Sequence, residues 1–191
     1  MTQEEFVAAI AASLNAAGIP FMMTGSHGSS HHGAPRATQD VDLVADPTGE
    51  SLDQFLRLLG DRYYVSPDAA REALRSRSQF NVIDINDGWK ADIIIRKDRP
   101  FSIEEFRRRQ PLTLHGQQLS VASAEDVILS KLEWNRITPS ERQLSDALNV
   151  AIVQWPRLDH AYLRKWASSL GVADRMEEVL TKAEQGQPPA T

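Results

Sequence analysis

The chain has 191 residues, 41% hydrophobic and 25% charged, with a formal net charge of −5 and no cysteine. That is enough ordinary globular sequence to bury a core as one domain or two small ones. The missing cysteine excludes disulfides and thiolate metal sites, no apolar run approaches a membrane span, and the acidic balance argues against a general nucleic-acid binder.

The N-terminal stretch lacks the basic start of a signal peptide, so a cytoplasmic location and no membrane partner are expected. Residues 3–17 predict an amphipathic helix, with Phe6, Ile10 and Leu14 at i, i+4 and i+8 and Gly18 as its stop. Phe21, Met22 and Met23 predict a strand ending at Thr24. Gly25 and Ser26 follow as a turn, opening a polar segment rich in Gly, Ser and His. The next strand spans residues 40–44. Leu52, Phe55, Leu56 and Leu59 mark a helix stopped by Gly60; residues 63–65 read as a short strand and residues 67–75 as a short helix. Residues 80–85 and 89–95 form a hairpin around Asp87 and Gly88. Residues 101–109 predict a helix ending in Arg107, Arg108 and Arg109, a placement the helix dipole favours; a phosphate or RNA contact is the other reading of that cluster. A second small hairpin spans residues 112–121.

Beyond Val121 the pattern turns helical. Ser123 caps a helix over 125–135. Thr138, with Pro139 at the first position and Glu141 three residues after the cap, starts another that runs toward Gln154. A third runs from Asp159 to Gly171 and a fourth from Val172 to about Glu184. The fold class is α+β: a mixed β-sheet flanked by helices, followed by a C-terminal helical unit. The expected boundaries are 1–121 for the core, 122–185 for the helical unit and 186–191 for a disordered tail.

The chemistry concentrates at residues 24–45. Side chains alternate along a strand, so Asp40 and Asp42 share a face with Cα atoms roughly 6.6 Å apart, while Val41 and Leu43 face the other way. Two carboxylates on one face are costly unless a cation or a proton compensates. Mg²⁺ suits such a pair, because it takes oxygen ligands, few of them from protein. Gly25 lets the backbone approach a phosphate, and Ser26 adds a hydroxyl and an N–H. Asp92, placed mid-strand among Ala and Ile, is the third acidic candidate. Asp84 competes with it, but its closeness to the turn reads as a solvated or turn-capping residue. Asp-x-Asp alone is a weak signal; the preceding Gly-Ser and the downstream Asp strengthen it. His27, His31 and His32 do not read as a zinc site, since adjacent imidazoles do not readily share one metal and no cysteine supports them; a loop or helix-start role fits better.

Gly25-Ser26, a spacer, and Asp40-Val41-Asp42-Leu43 together resemble the signature of the nucleotidyltransferase superfamily, which has the polymerase-beta-like fold. The longer phrase, with His32-Gly33, Pro35-Arg36-Ala37-Thr38 and Asp40 to Val44, resembles bacterial stand-alone nucleotidyltransferases related to abortive-infection type IV toxins. His27-Gly28 stands where relatives commonly carry Leu-Ala. The resemblance implies that Asp40, Asp42 and Asp92 are catalytic and gather two Mg²⁺ ions, with Mn²⁺ as a substitute. Gly25 and Ser26 would hold the triphosphate of an NTP, and Arg36 and Thr38 would support the nucleotide. Ile128 to Leu132 resembles the family's lysine motif, so Lys131 would contact the triphosphate. Glu141 to Asp146 resembles its later acidic motif, and Asp146 would hold Lys131 or assist the attacking hydroxyl. From the residues alone, the other readings are a solvated Lys131 and a plain i,i+4 pair of Arg142 with Asp146.

The implied activity is transfer of NMP from an NTP to a hydroxyl acceptor, RNA such as tRNA or a protein, with release of pyrophosphate. One version is a toxin paired with a cognate antitoxin. The alternatives are a transferase for small antibiotics and a non-catalytic nucleotide-binding or partner-binding protein on the same fold.

Overall fold

The computed structural model describes residues 1–187. In chain order its elements are α1 (Gln3–Ala16), β1 (Phe21–Met23), α2 (Gly25–His32), β2 (Asp40–Ala45), α3 (Gly49–Leu59), β3 (Tyr63–Tyr64), α4 (Pro67–Ser76), β4 (Gln79–Asp84), β5 (Lys90–Ile95), α5 (Pro100–Arg107), β6 (Gln110–Leu114), β7 (Gln117–Val121), α6 (Ala124–Ile137), α7 (Glu141–Gln154), α8 (His160–Leu170) and α9 (Ala173–Gln185). They divide into two compact units. The first is Met1–Thr24 with Thr38–Ala122, and the second is Gly25–Ala37 with Ser123–Thr191. No helix among the described residues is long and apolar enough to cross a membrane.

The first unit holds the whole sheet, a seven-stranded mixed sheet in the order β3-β4-β5-β2-β1-β7-β6. β2 runs antiparallel to β1 and parallel to β5, and β4 runs antiparallel to β5. One face of the central strands is apolar. Val41, Leu43 and Ala45 of β2, Ala91, Ile93 and Ile95 of β5, and Phe80 and Val82 of β4 are all buried. They pack with Phe6, Ile10 and Leu14 of α1 and with Leu52 and Phe55 of α3. Each fully buried Val, Leu, Ile or Phe contributes about 1.5–3 kcal/mol. A one-residue slip of β2 would exchange that row for Asp40 and Asp42, so the register is strongly fixed. Three helices of this unit are held at their starts by side chains. Thr2 and Glu5 form a capping box on α1, Thr48 caps α3, and Ser66 with Pro67 opens α4.

The second unit consists of α2 and α6 to α9. Two sequence expectations are corrected in it. Gly25 and Ser26, expected as a turn, instead open a helix: Gly25 is left-handed at φ 59° and α2 takes in the polar segment, so of the loop and helix-start readings of its histidines the helix stands. Gly28, Ser29 and His32 are the buried stripe of that helix, spaced as one helical face but too polar and small to register as a hydrophobic period. Gly33 closes it. A Cβ there would lie 3.0 Å from Ser29 O and 3.1 Å from both Val150 N and Val150 Cγ2, contacts so tight that the neighbours would have to give by a few tenths of an ångström, so glycine suits the close approach of the end of α2 to α7. Gln154 Nε2 donates to His32 O at 2.7 Å and satisfies a carbonyl at the end of the helix.

The second correction concerns Thr138. It closes α6 rather than opening α7, because its N–H bonds Trp134 O at 2.8 Å. α7 begins only at Glu141, after Ser140. The cap expected at Ser123 is present, on Asp126 N, and Asp159, expected to open the third helix, caps α8 through Tyr162 N. Gln187, just beyond the end of α9, donates through its side-chain amide to Ile152 O and Ala183 O; residues 188–191 of the expected tail lie outside the described residues.

Candidate functional site

The polar face of the sheet is built by register. In the parallel pairing of β2 with β5, Asp40 stands opposite Lys90 and Asp42 opposite Asp92. In the antiparallel pairing of β4 with β5, Asn81 stands opposite Asp92. The strand period therefore brings Asp40, Asp42, Asn81, Lys90 and Asp92 to one face, away from the apolar core. Lys90 Nζ lies 3.4 Å from Asp40 Oδ2 and 3.3 Å from Asp92 Oδ1. Asn81 Nδ2 donates to Asp92 Oδ1 at 2.5 Å. Burial works against the Lys90 charge, but Asp92 and Asp40 outweigh it and raise the pKa of the ammonium. Thr38 is half-buried just before the strand; its hydroxyl donates to Asp40 O at 3.3 Å and its carbonyl accepts from Gln3 Nε2 at 2.7 Å. It fixes the backbone entering β2.

Asp84 lies on the opposite face, fully buried at the end of β4. Its carboxylate accepts from Asn86 N at 2.9 Å, Asp87 N at 3.1 Å and Arg62 Nε at 2.9 Å. Burial raises its pKa, and the Arg62 and backbone hydrogen bonds more than reverse this, leaving the carboxyl below its ordinary range. It is a turn-capping residue, but not a solvated one. Two of the three arginines at the end of α5 are engaged locally. Arg107 pairs with Glu104 at 2.7 Å, and the Arg109 guanidinium sits 4.4 Å from the centre of the Phe106 ring.

In the second unit a cationic cluster is centred on Asp146. Lys131 Nζ donates to Asp146 Oδ2 at 2.7 Å, with both residues buried, at 5% and 6% exposure. Arg36 grips the same carboxylate with two parallel bonds, Nε to Oδ1 at 3.0 Å and Nη2 to Oδ2 at 2.9 Å. Arg36 Nη2 also donates to Ser26 Oγ at 2.5 Å. Burial pushes the Asp146 carboxyl up, but the hydrogen bonds and charges of Arg36 and Lys131 hold it below the usual range. Two cations share one anion, so the cluster carries a net charge of about +1 and suits an anionic ligand. Asp146 is saturated by cations, an arrangement suited to holding Lys131 rather than taking a proton. Gly25 and Ser26 form the first turn of α2. His27 also lies on that helix; its imidazole pKa is lowered by burial and then by Arg36. His31 and His32 pack edge to face, 4.7 Å between ring centres.

No protein-family model matches the chain, and no curated protein matches it. Solved structures do. An antigenic nucleotidyltransferase-like protein from Paracoccidioides brasiliensis matches over 98% of this chain and 94% of that one, at 15% identity and a TM-score of 0.62. The lincosamide antibiotic adenylyltransferase LnuA, with lincomycin bound, matches over 78% of this chain and 96% of its own, at 13% identity and a TM-score of 0.53. ANT(2'')-Ia in complex with adenylyl-2''-tobramycin matches over 97% and 98%, at 17% identity and a TM-score of 0.52. The chain has the nucleotidyltransferase fold.

On this nucleotidyltransferase fold the carboxylate face suits a hard divalent cation in donor type: three carboxylates, with no sulfur or imidazole among them. Among the described residues, no three His, Asp or Glu side chains converge closely enough to hold an ion as they stand, and Lys90 bridges two of the three carboxylates. Lys90 and Asn81 were missed in the sequence. The signal for Lys90 was present, since it lies two residues before Asp92 and so must share its face. Asn81 needed the β4–β5 register.

Proposed function

We propose that the protein is a Mg²⁺-dependent nucleotidyltransferase that moves NMP from an NTP to a hydroxyl acceptor and releases pyrophosphate. The observation that carries this reading is that strand register gives Asp40, Asp42 and Asp92 one shared sheet face on a nucleotidyltransferase fold. A divalent cation held by these carboxylates, two ions in the full form, would neutralise phosphate charge and acidify the acceptor hydroxyl. The chain's own residues do the rest. Gly25 and Ser26 present N–H groups and a hydroxyl to the triphosphate. Lys131, held by Asp146, supplies positive charge toward its phosphates. Arg36 orients Ser26 through a direct hydrogen bond and fixes Asp146 in a two-pronged grip. The acceptor hydroxyl attacks the α-phosphorus, the bond to the pyrophosphate oxygen breaks, and positioning and charge neutralisation supply the acceleration.

For the acceptor we propose RNA such as tRNA, or protein, on the strength of the sequence phrase running from His32 to Val44. A toxin acting beside a cognate antitoxin is one form of that proposal. A small hydroxylated antibiotic is the second reading, favoured by the lincomycin and adenylyl-tobramycin bound to two of the similar folds. Reaction with each α-³²P-labelled NTP, in the presence of total RNA, cell protein and a panel of hydroxylated antibiotics, separates the two. Label in the RNA or protein fraction is the expected result. Label confined to the small-molecule fraction would overturn the polymer acceptor. Wild-type protein that labels nothing would overturn the transferase reading.

A further inference from the structure

Lys90 is the cation that bridges two of the three carboxylates, and its place follows from two independent constraints. Two residues before Asp92 on β5, it shares that residue's face; opposite Asp40 in the β2–β5 pairing, it meets the other carboxylate strand. Its ammonium nitrogen is nearly equidistant from Asp40 Oδ2, at 3.4 Å, and Asp92 Oδ1, at 3.3 Å. Like charges brought together across neighbouring strands are destabilising, and Lys90 offsets that repulsion. Its side chain is 32% exposed, and that of Asp40 is 54% exposed, so the attraction is screened and the ammonium is free to move away on a flexible stem. A divalent cation at the same oxygens carries twice the charge, and an ammonium beside it would be repelled. The two are alternative occupants of the same carboxylate oxygens.

We propose that Lys90 is the resident counter-ion of this face, a positioning residue that holds Asp40 and Asp92 together and surrenders their oxygens when a divalent cation binds. The proposal rests on the reading of Asp40, Asp42 and Asp92 as cation ligands. It makes two opposed demands on one substitution. Lys90→Met keeps the unbranched stem, one atom shorter, and removes its charge. Without metal, this variant should be less stable than the wild type; toward metal, it should bind more tightly, because nothing has to be displaced.

The experiment titrates Mn²⁺ alone into wild type, Lys90→Met, Lys90→Arg and Asp42→Ala, reading free Mn²⁺ by electron paramagnetic resonance and thermal midpoints in parallel. The expected result is about tenfold tighter Mn²⁺ binding by Lys90→Met, corresponding to about 1.4 kcal/mol. Its midpoint should be lower without metal and recover at saturating Mn²⁺. Lys90→Arg should restore the metal-free midpoint, and Asp42→Ala should lose binding. A purely structural lysine would lower the midpoint without tightening Mn²⁺. Equal or weaker Mn²⁺ binding by Lys90→Met, with the wild type binding normally, overturns the role of Lys90 and leaves the metal reading standing. No binding by either protein overturns both.

Discussion

Asp42 and Asp92 stand directly opposite each other in the parallel pairing of β2 and β5. Two carboxylates in that relation weaken a sheet, by roughly 0.2–1 kcal/mol, and a fold maintaining the pair for stability alone would gain by losing one of them. Asp42→Asn is therefore expected to leave the protein as stable as wild type or more stable by up to about 1 kcal/mol, while transfer falls by about 10²-fold or more. Urea denaturation and a labelled-NTP assay on the same preparation check both halves.

Asp84 supplies the contrast. It lies on the buried face and ties the β4–β5 turn to Arg62. Asp84→Ala strands two backbone N–H groups and should cost about 2–4 kcal/mol. Transfer per folded molecule should stay close to wild type. A large loss of stability with activity retained separates this residue from Asp92, whose replacement should do the reverse.

The Asp146 cluster predicts an acid limb in the stability curve. Its carboxyl is held below its ordinary range in the folded protein. The unfolded state therefore takes up the proton first as the pH falls. The contribution is fully present above the unfolded value of about 4 and is lost as the pH falls through the lower folded value. Asp146→Asn should flatten that limb. At pH 7 it should cost about 3 kcal/mol, because Lys131 is left buried without its partner. Stability measured between pH 2 and 7 for both proteins checks the sign and the window.

Gly33→Ala tests the seating of α2. The added Cβ would meet Ser29 O and the Val150 backbone at 3.0–3.1 Å, and overpacking of this kind costs about 1–3 kcal/mol. Because both contacts lie in the same unit as Ser26 and Arg36, the nucleotide affinity of the variant should fall as well. Calorimetric binding and thermal unfolding would show whether the two losses come together.

Much of this was legible in the sequence because it depends on short periods. Alternation in β2 placed Asp40 and Asp42 on one face, and the Asp87-Gly88 turn fixed the hairpin that carries Asp92. What escaped was set by packing across the chain. α2 was hidden because its buried stripe is glycine, serine and histidine, so the contacts of Gly33 with Val150 mark the helix where hydropathy does not. The start of α7 was misplaced because Thr138, a good helix opener by type, was already committed to Trp134 O. The grip of Arg36 on Asp146 joins residues 110 positions apart, and no local pattern announces it.

The most direct measurement is a thermal-stability titration of the wild type and Asp42→Ala with each of the four NTPs, with and without Mg²⁺. A ligand that binds the folded state stabilises it by mass action, by about 2.7 kcal/mol at a hundred times its Kd. The expected result is a rise in midpoint with at least one NTP that requires Mg²⁺ in the wild type and disappears in Asp42→Ala. No rise with any NTP at millimolar concentration, or a rise of equal size in Asp42→Ala, would contradict the assignment of the carboxylate face as the metal-dependent nucleotide site.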